Sequence, residues 1–378
     1  ILSAFFSSTI AGYFIKLASI FVQISVDIIN KLAAFPWSSF NTMKPNLVEI
    51  ALFYLFIILL IQFIEAKRNK IPIKSSSGRL RIIKHLLVFI IILFVLDMTY
   101  LTFKDRFSSD LKVTIIDVGQ GNSILVQFPG GRNILIDGGG FSEGSFDTGK
   151  AVVAPFLYHE SIGHIDTAVL SHPHPDHLLG LIYIMNNFDV QQIWKSNLPV
   201  DPEEFPEWEK TIKSNNQSVC LLSNKSPERI VNGVKVKVLW PPDYSDKNAN
   251  DLSYDDINDS SLVLKITFGK ISFLITGDIS GDVETQLIEA KTDLRSDVLV
   301  VPHHGSNHSS STEFIKAVSC RYAIVSAGKA NVFHHPHPAT LLRYKDAGVN
   351  ILRTDHDGAI TLTTNGNNLK IDTFIKNK

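Results

Sequence analysis

The sequence predicts an α/β sandwich carried behind membrane-spanning helices. Three features point there. Apolar residues crowd into the first third, before about residue 104. From residue 111 onward, short strand-like runs alternate with helix-like segments. A motif rich in histidine and aspartate stands where one of those strands meets a helix. At 378 residues the chain is too long for one ordinary domain. Its natural division is a membrane segment over 1–104 and a globular α/β domain over 105–378. The chain starts at Ile1 rather than Met and reads as a piece of a longer protein.

Residues 47–64 (LVEIALFYLFIILLIQFI) are almost uninterrupted apolar sequence. That length about spans a bilayer's hydrocarbon core, which takes roughly 20 residues. A second run covers 82–103, with LLVFIIILFVL at its centre. Residues 5–34 differ: Lys16, Ser19, Gln23, Asp27 and Asn30 recur at helical spacing on one face, opposite an apolar face. Such a helix lies at the membrane interface or packs with its polar stripe along a wet path. The segments are too many and too long for a cleavable signal peptide. Between the two strong spans come Lys67, Arg68, Lys70, Lys74, Arg79, Arg81 and Lys84, against Glu65 alone. By the positive-inside tendency this loop is cytoplasmic, which puts everything after residue 104 on the extracytoplasmic side of a multi-pass chain.

The second part opens with three strands, LKVTIIDVG, NSILVQF and RNILIDGG, the last two joined by a turn at Pro129-Gly130-Gly131. The helix GKAVVAPFLYHES, the strand DTAVLSH and the helix HLLGLIYIMNNF follow, then a helix over 202–215 and the strand VKVKVLW. Residues 243–259 are acidic and read as a solvated loop. SLVLKITFG and KISFLITGD form a hairpin. Helices then alternate with the strands DVLVVPHHG and RYAIVSAG.

The chemistry concentrates in Ser171-His172-Pro173-His174-Pro175-Asp176-His177. Residues two apart on an extended segment point the same way, so His172 and His174 can grip one ion. The intervening prolines hold the backbone extended. Asp176 and His177 fall where the chain turns into a helix and can face a second ion. Imidazole and carboxylate together suit zinc and similar transition metals. The two cysteines, Cys220 and Cys320, sit in apolar strand-like runs as core thiols, which leaves no disulfide framework and no cysteine metal site. A formal net charge of -1 does not announce a nucleic-acid binder.

This motif resembles the HxHxDH signature of the metallo-β-lactamase superfamily. The resemblance implies an αββα sandwich and further site residues. Asp137 in LIDGGG would be the Asp that follows an early strand. Asp278 in FLITGD would bridge two metals, and His303 or His304 in VVPHHGS would supply the late histidine. One element is missing, because no histidine stands between His177 and His303. The equivalent position falls near Asn258-Asp259, where an oxygen ligand would shift preference from zinc toward manganese or magnesium. Two divalent ions about 4 Å apart would activate a water and neutralise charge on the attacked group. Asp176 or Asp278 would orient that water. Manganese or zinc is expected first, with magnesium also admissible.

Two further stretches suggest phosphate binding. Ser306, Asn307 and Ser309 precede the helix TEFIKAV, where Ser310 and Glu313 have capping-box spacing and free amides could hold an anion. Asn331, His335 and His337 form the other stretch, in NVFHHPHP. His159, His164 and His356 read as structural.

The ordered set IIDVGQGNSILVQ, ILIDGGG, LSHPHPDHLLGL, NDSSLVL, FLITGD, VPHHGSNHSS, NVFHHPHP and TDHDGAITL resembles the ComEC family of DNA-internalisation competence proteins over nearly all of 111–364. The hydrophobic stretch with Phe35-Pro36-Trp37 resembles the end of that family's membrane competence domain. The resemblance implies DNA uptake in natural transformation, with an external nuclease degrading one strand. Its partners would be DNA, single-stranded or duplex, the cell membrane and other uptake machinery. Asn122 departs from the Asp common in the family. Two other readings stay open. One is a membrane-anchored hydrolase of small phosphodiesters, lactams or lactones. The other is a non-catalytic component that guides DNA.

Overall fold

A computed structural model describes residues 8–33, 35, 44–68, 73–141, 146–201, 203–243 and 254–376. The chain divides into two compact units, Ile1–Pro45 and Asn46–Lys378. The first contains one long helix, α1 (Ser8–Ala33). Part of its polar stripe is paired within the helix: Gln23 Nε2 donates to Asp27 Oδ1 at 3.0 Å, and Ser19 Oγ to the Lys16 carbonyl at 2.8 Å. By length and composition Ile10–Ala33 is apolar enough to cross a membrane. Phe35 is described, whereas Pro36 and Trp37 lie outside the described residues.

The second unit begins with α2 (Leu47–Arg68) and α3 (Ile73–Phe103), which pack together through Leu59, Ile83 and Ile90. Leu47–Arg68 and Gly78–Tyr100 are also long and apolar enough to span a bilayer. Most of their large apolar side chains are exposed, as a lipid-facing surface requires.

The strands of the remaining part are β1 (Leu111–Ile115), β2 (Ile124–Gln127), β3 (Asn133–Ile136), β4 (His164–Leu170), β5 (Asp189–Ser196), β6 (Ser218–Leu222), β7 (Arg229–Val231) and β8 (Val234–Trp240). After them come β9 (Val263–Phe268), β10 (Ile271–Ile275), β11 (Val298–Val300), β12 (Tyr322–Val325), β13 (Asn350–Arg353), β14 (Ile360–Thr364) and β15 (Leu369–Thr373). They build two sheets, ordered β15-β14-β1-β2-β3-β4-β5-β6 and β13-β12-β11-β10-β9-β8-β7. Alternation along each strand sends one set of side chains inward, and Val113, Ile115, Val126, Val236, Phe273 and Ile324 fill the space between the sheets.

Helices cover both outer faces. The first sheet packs on α4 (Ala154–His159), α5 (Pro175–Asn187) and α6 (Pro206–Ser214) through Leu157, Leu181, Ile184 and Trp208. The short α7 (Tyr254–Asp259) then leads into β9. The second sheet packs on α8 (Gly281–Glu289), α9 (Thr312–Val318) and α10 (Pro338–Asp346) through Val283, Phe314 and Tyr344. The result is the expected αββα sandwich, closed by α11 (Thr354–Asp357) before β14.

Three local expectations change. The acidic stretch ends in helix α7 rather than in a loop, and residues 244–253 lie outside the described residues. Cys320 sits buried just before β12 rather than within a strand, and burial pushes its thiol up to about 11. Cys220 is only half-buried and accepts a hydrogen bond from Arg229.

Candidate metal centre

The site forms at the carboxyl ends of parallel strands, the usual ligand position in such sheets. β3 and β4 pair in parallel in the first sheet, as do β10, β11 and β12 in the second. Asp137 follows β3 and His172 follows β4, while Asp278 follows β10 and His304 follows β11. The sheets are stitched together there. Leu262 N donates to the Ser171 carbonyl at 3.0 Å, and Ser261 Oγ lies 3.2 Å from His172 Nδ1.

Side-chain atoms of Asp176, His177, Asp278 and His304 all lie within 4.8 Å of one another. His177 Nε2 and His304 Nε2 stand 3.3 and 3.2 Å from Asp278 Oδ2. Both nitrogens are buried and make no regular hydrogen bond, and neither does Asp278 Oδ1. Buried polar atoms of this kind carry a desolvation cost unless something else engages them. Their donor types and convergence fit a divalent ion. Both rings are held from behind. His177 Nδ1 lies 2.8 Å from Asp137 Oδ2, and His304 Nδ1 lies 2.9 Å from the Ser326 carbonyl. A proton on each Nδ1 leaves the Nε2 lone pair aimed at the cluster.

The same geometry resolves the adjacent histidines. His303 and His304 are consecutive left-handed residues, with φ of 49° and 53°. That conformation is uncommon away from glycine and throws the two rings apart. His304 enters the four-residue group, whereas His303 Nε2 stays 4.0 Å from Asp278 Oδ2.

Beside this group, His172 Nε2 and His174 Nδ1 are 3.0 Å apart. Two nitrogens on one ion at about 2.1 Å each would stand about 3.0–3.4 Å apart. The buried Asn258 side chain contacts His174. Asp259 is committed elsewhere, accepting from Ser280 N at 3.0 Å. Two imidazoles with a neighbouring amide oxygen fit a second, harder ion.

Charges inside the cluster are interlocked. Burial alone would lower His304, but Asp278 and Asp176 raise it to about 10. His177 moves up in the same way against its burial, driven first by Asp278 and then by Asp137. Burial would raise the Asp278 carboxyl, yet His304 and His177 hold it well below the usual range. His172 is pushed well down by burial and by His177, which together outweigh the pull of Asp278. The metal-free centre therefore stores protons on His177 and His304 at neutral pH. An ion bound through their Nε2 atoms must displace them, so affinity rises with pH up to the elevated pKa values. Calorimetric titration with Zn²⁺ at pH 7, in buffers of different ionisation enthalpy, should show release of about two protons per chain. Release of none would mean these imidazoles are not ligands.

Asp137 is a positioning residue. It has φ of 58°, is buried, and its carboxylate accepts from Ser171 N at 2.8 Å and Ser171 Oγ at 2.7 Å while holding His177. Asp137→Ala should weaken metal affinity by about 10- to 100-fold, measured by competition with a chelating dye. Unchanged affinity would show that His177 keeps its orientation without it.

The predicted phosphate-binding stretches are internally committed. Ser311, not Ser310, caps α9, its Oγ accepting from Phe314 N at 3.2 Å, so the expected capping box does not form. The amides expected to hold an anion, Ser310 N and Ser311 N, instead donate to the buried carboxylate of Glu284. Ser306 Oγ accepts from His308 N, Ser309 Oγ donates to the Pro302 carbonyl, and Asn307 Oδ1 accepts from Arg343. Asn331 Nδ2 donates to the carbonyls of Gly328 and His335, while its Oδ1 accepts from His335 N. His337 caps α10 through Nδ1. His335 stands nearer the metal group, its ring centroid 5.6 Å from that of His303. Burial, then the charge on His304, lowers its pKa to about 4. Asn122 ties the motif loop from behind, its N donating to the Asp176 carbonyl at 3.2 Å. His164 pairs with Asp189, and His159 and His356 lie beside Glu160 and Asp355.

A cleft of about 600 Å³ reaches this centre through Asp176 and was not foreseen in the sequence. Its wall includes Phe141, Lys329, Val332 and Phe333, residues with no ligand-like spacing to mark them.

Among curated proteins, the chain is 32% identical over 271 residues to ComE operon protein 3 of Bacillus subtilis, covering 67% of this chain and 33% of that protein. It is 32% identical to competence protein ComA of Neisseria gonorrhoeae, covering 67% and 32%. Recombination protein 2 of Haemophilus influenzae is 30% identical, covering 67% and 29%. The chain thus spans about a third of the length of these relatives, and they bear out the resemblance to the ComEC family. The family model of the metallo-beta-lactamase superfamily matches residues 116–329, from β2 to β12 with the whole metal cluster, and the chain belongs to that superfamily.

Proposed function

We propose that this chain is the metal-dependent phosphodiesterase of a DNA-uptake apparatus, cutting one strand of incoming DNA at the outer side of the membrane. The observation that carries the hydrolytic part is the convergence of Asp176, His177, Asp278 and His304 at the mouth of a cleft. The uptake role is supported by the similarity to competence proteins. The outer placement rests on the basic residues that end α2 and recur in α3, by the positive-inside tendency.

One ion would be held by Asp176, His177, Asp278 and His304, the other by His172, His174 and Asp278 with Asn258 supplying oxygen. Bound ions would supply Lewis acidity and an activated water. The protein's part is orientation. Asp137 and the Ser326 carbonyl fix the two imidazoles, and the partly exposed Asp176 faces the cleft from which substrate arrives. There its carboxylate can direct the attacking water.

The test uses the full chain in detergent micelles, stripped of metal and given Mn²⁺, Mg²⁺ or Zn²⁺ separately, with single- and double-stranded DNA. Metal-dependent cleavage that disappears in Asp176→Ala is the expected result. DNA binding without cleavage under every ion would overturn the nuclease reading in favour of a guide. Turnover of small phosphodiesters or lactones alone would favour an anchored small-molecule hydrolase.

A further inference from the structure

The cleft beside the metal centre is lined unusually for a site that handles only a charged backbone. Phe141 is 41% exposed and Phe333 59% exposed, both on its wall. Exposed aromatic rings beside a catalytic centre lose apolar stabilisation unless a ligand covers them. A ladder of rings joins the rim to the centre. Phe333 stacks on His335 at 5.9 Å between centroids, His335 meets His303 at 5.6 Å, and His303 meets His304 at 6.2 Å. Its polar side chains are Gln120, Asp176, Glu204, Lys329 and Asn331, with Lys329 exposed.

We infer that this cleft is a base-stacking subsite, in which an unpaired nucleobase lies against Phe333 and Phe141 while its phosphate sits at the metal group. The inference rests on the phosphodiesterase reading and deepens it to a substrate class, single-stranded or locally melted DNA. Volume supports this, since about 600 Å³ is a small-ligand pocket and has no room for a duplex. Stacking on aromatic rings tolerates any base, because every base has a π-face. Charge sets the direction. Asp176 and Glu204 repel phosphate from the cleft unless metal is present, whereas Lys329 can pair with a neighbouring phosphate at the rim. A neutral base is therefore the part of a nucleotide that the cleft interior accepts.

The experiment uses the full chain in micelles, wild type beside F141A, F333A, the double variant and F333W. Two readouts are taken. The first is fluorescence quenching and anisotropy of a 2-aminopurine single strand with cleavage-resistant phosphorothioate linkages in the presence of Zn²⁺, which needs no catalysis. The second is kcat and KM on an oligothymidylate and on the same oligomer carrying abasic sites. Each alanine substitution should weaken binding about tenfold and abolish part of the quenching, and F333W should restore both. Wild type should lose about tenfold in kcat/KM on the abasic oligomer, and the double variant should show no such difference. Both positions are exposed, so the variants should keep the wild-type circular dichroism. Equal quenching and equal affinity in wild type and double variant would overturn the subsite, even if cleavage is robust. Loss of quenching in the variants without cleavage by wild type would keep the subsite and sink the nuclease reading. Stronger cleavage of intact duplex than of single strand, unaffected by the substitutions, would also overturn it.

Discussion

Asp278→Asn should abolish metal-dependent hydrolysis while leaving the fold intact. Asp278 is the carboxylate that faces His177, His303 and His304 together, and it is fully buried among them. The amide keeps the volume but removes the charge that holds the surrounding imidazoles and the ion between the sheets. Losing one preorganised electrostatic partner commonly costs about 10²–10³ in rate. On the proposed two-ion arrangement this residue would serve both, so the loss should reach at least the top of that range. Elemental analysis should find less than one metal per chain after gel filtration, and far-ultraviolet circular dichroism should match wild type. A variant with full metal content and activity within tenfold of wild type would remove Asp278 from the centre.

The second large effect is expected at a residue that offers no ligand atom of its own. Gly180 lies on α5, one turn beyond His177, where the helix presses on the loop after β3. A Cβ at that position would sit 1.9 Å from the Gly138 carbonyl oxygen, and backbone atoms cannot yield as a flexible side chain does. Gly180→Ala must push α5 away from the sheet. Overpacking of this kind costs about 3 kcal/mol at the upper end of its usual range. For a domain of this size that lowers Tm by about 6–12 °C. The displacement also moves Asp176 and His177, so metal affinity should fall together with stability. An unchanged melting curve with wild-type metal content would mean the helix shifts without cost. Gly121 makes the matching approach on the other side of the motif. Its φ is +114°, and a Cβ there would stand 2.2 Å from the Asp176 carbonyl.

Both predictions show where sequence reading works and where it stops. The glycines of DVGQG and DGGG mark turns in the sequence, but their purpose is contact. They let two strand-to-loop junctions close on the backbone of the histidine motif. The α9 start was legible as a cap, yet its function inverted in the fold. Its amides are already satisfied by Glu284, a residue 26 positions earlier on another helix. β5 and β13 escaped detection for a related reason. DVQQIWKS interrupts its apolar residues with exposed Asp189 and Gln191 and half-buried Gln192, and NILR is too short to alternate.

What the sequence determined by itself was everything local. Ligand types, their order along the chain, the strand that precedes each of them, and the apolar spans all follow from residue identity and period. Only the tertiary structure decided which of two adjacent histidines reaches the cluster, because two left-handed residues in a row aim their rings in different directions. It alone placed Asn258 rather than Asp259 at His174, and Asp137 behind His177. It alone opened a cleft between loops more than a hundred residues apart, from Phe141 to Phe333. Such contacts depend on how two sheets meet at one end, and no periodicity within a single segment records that distance.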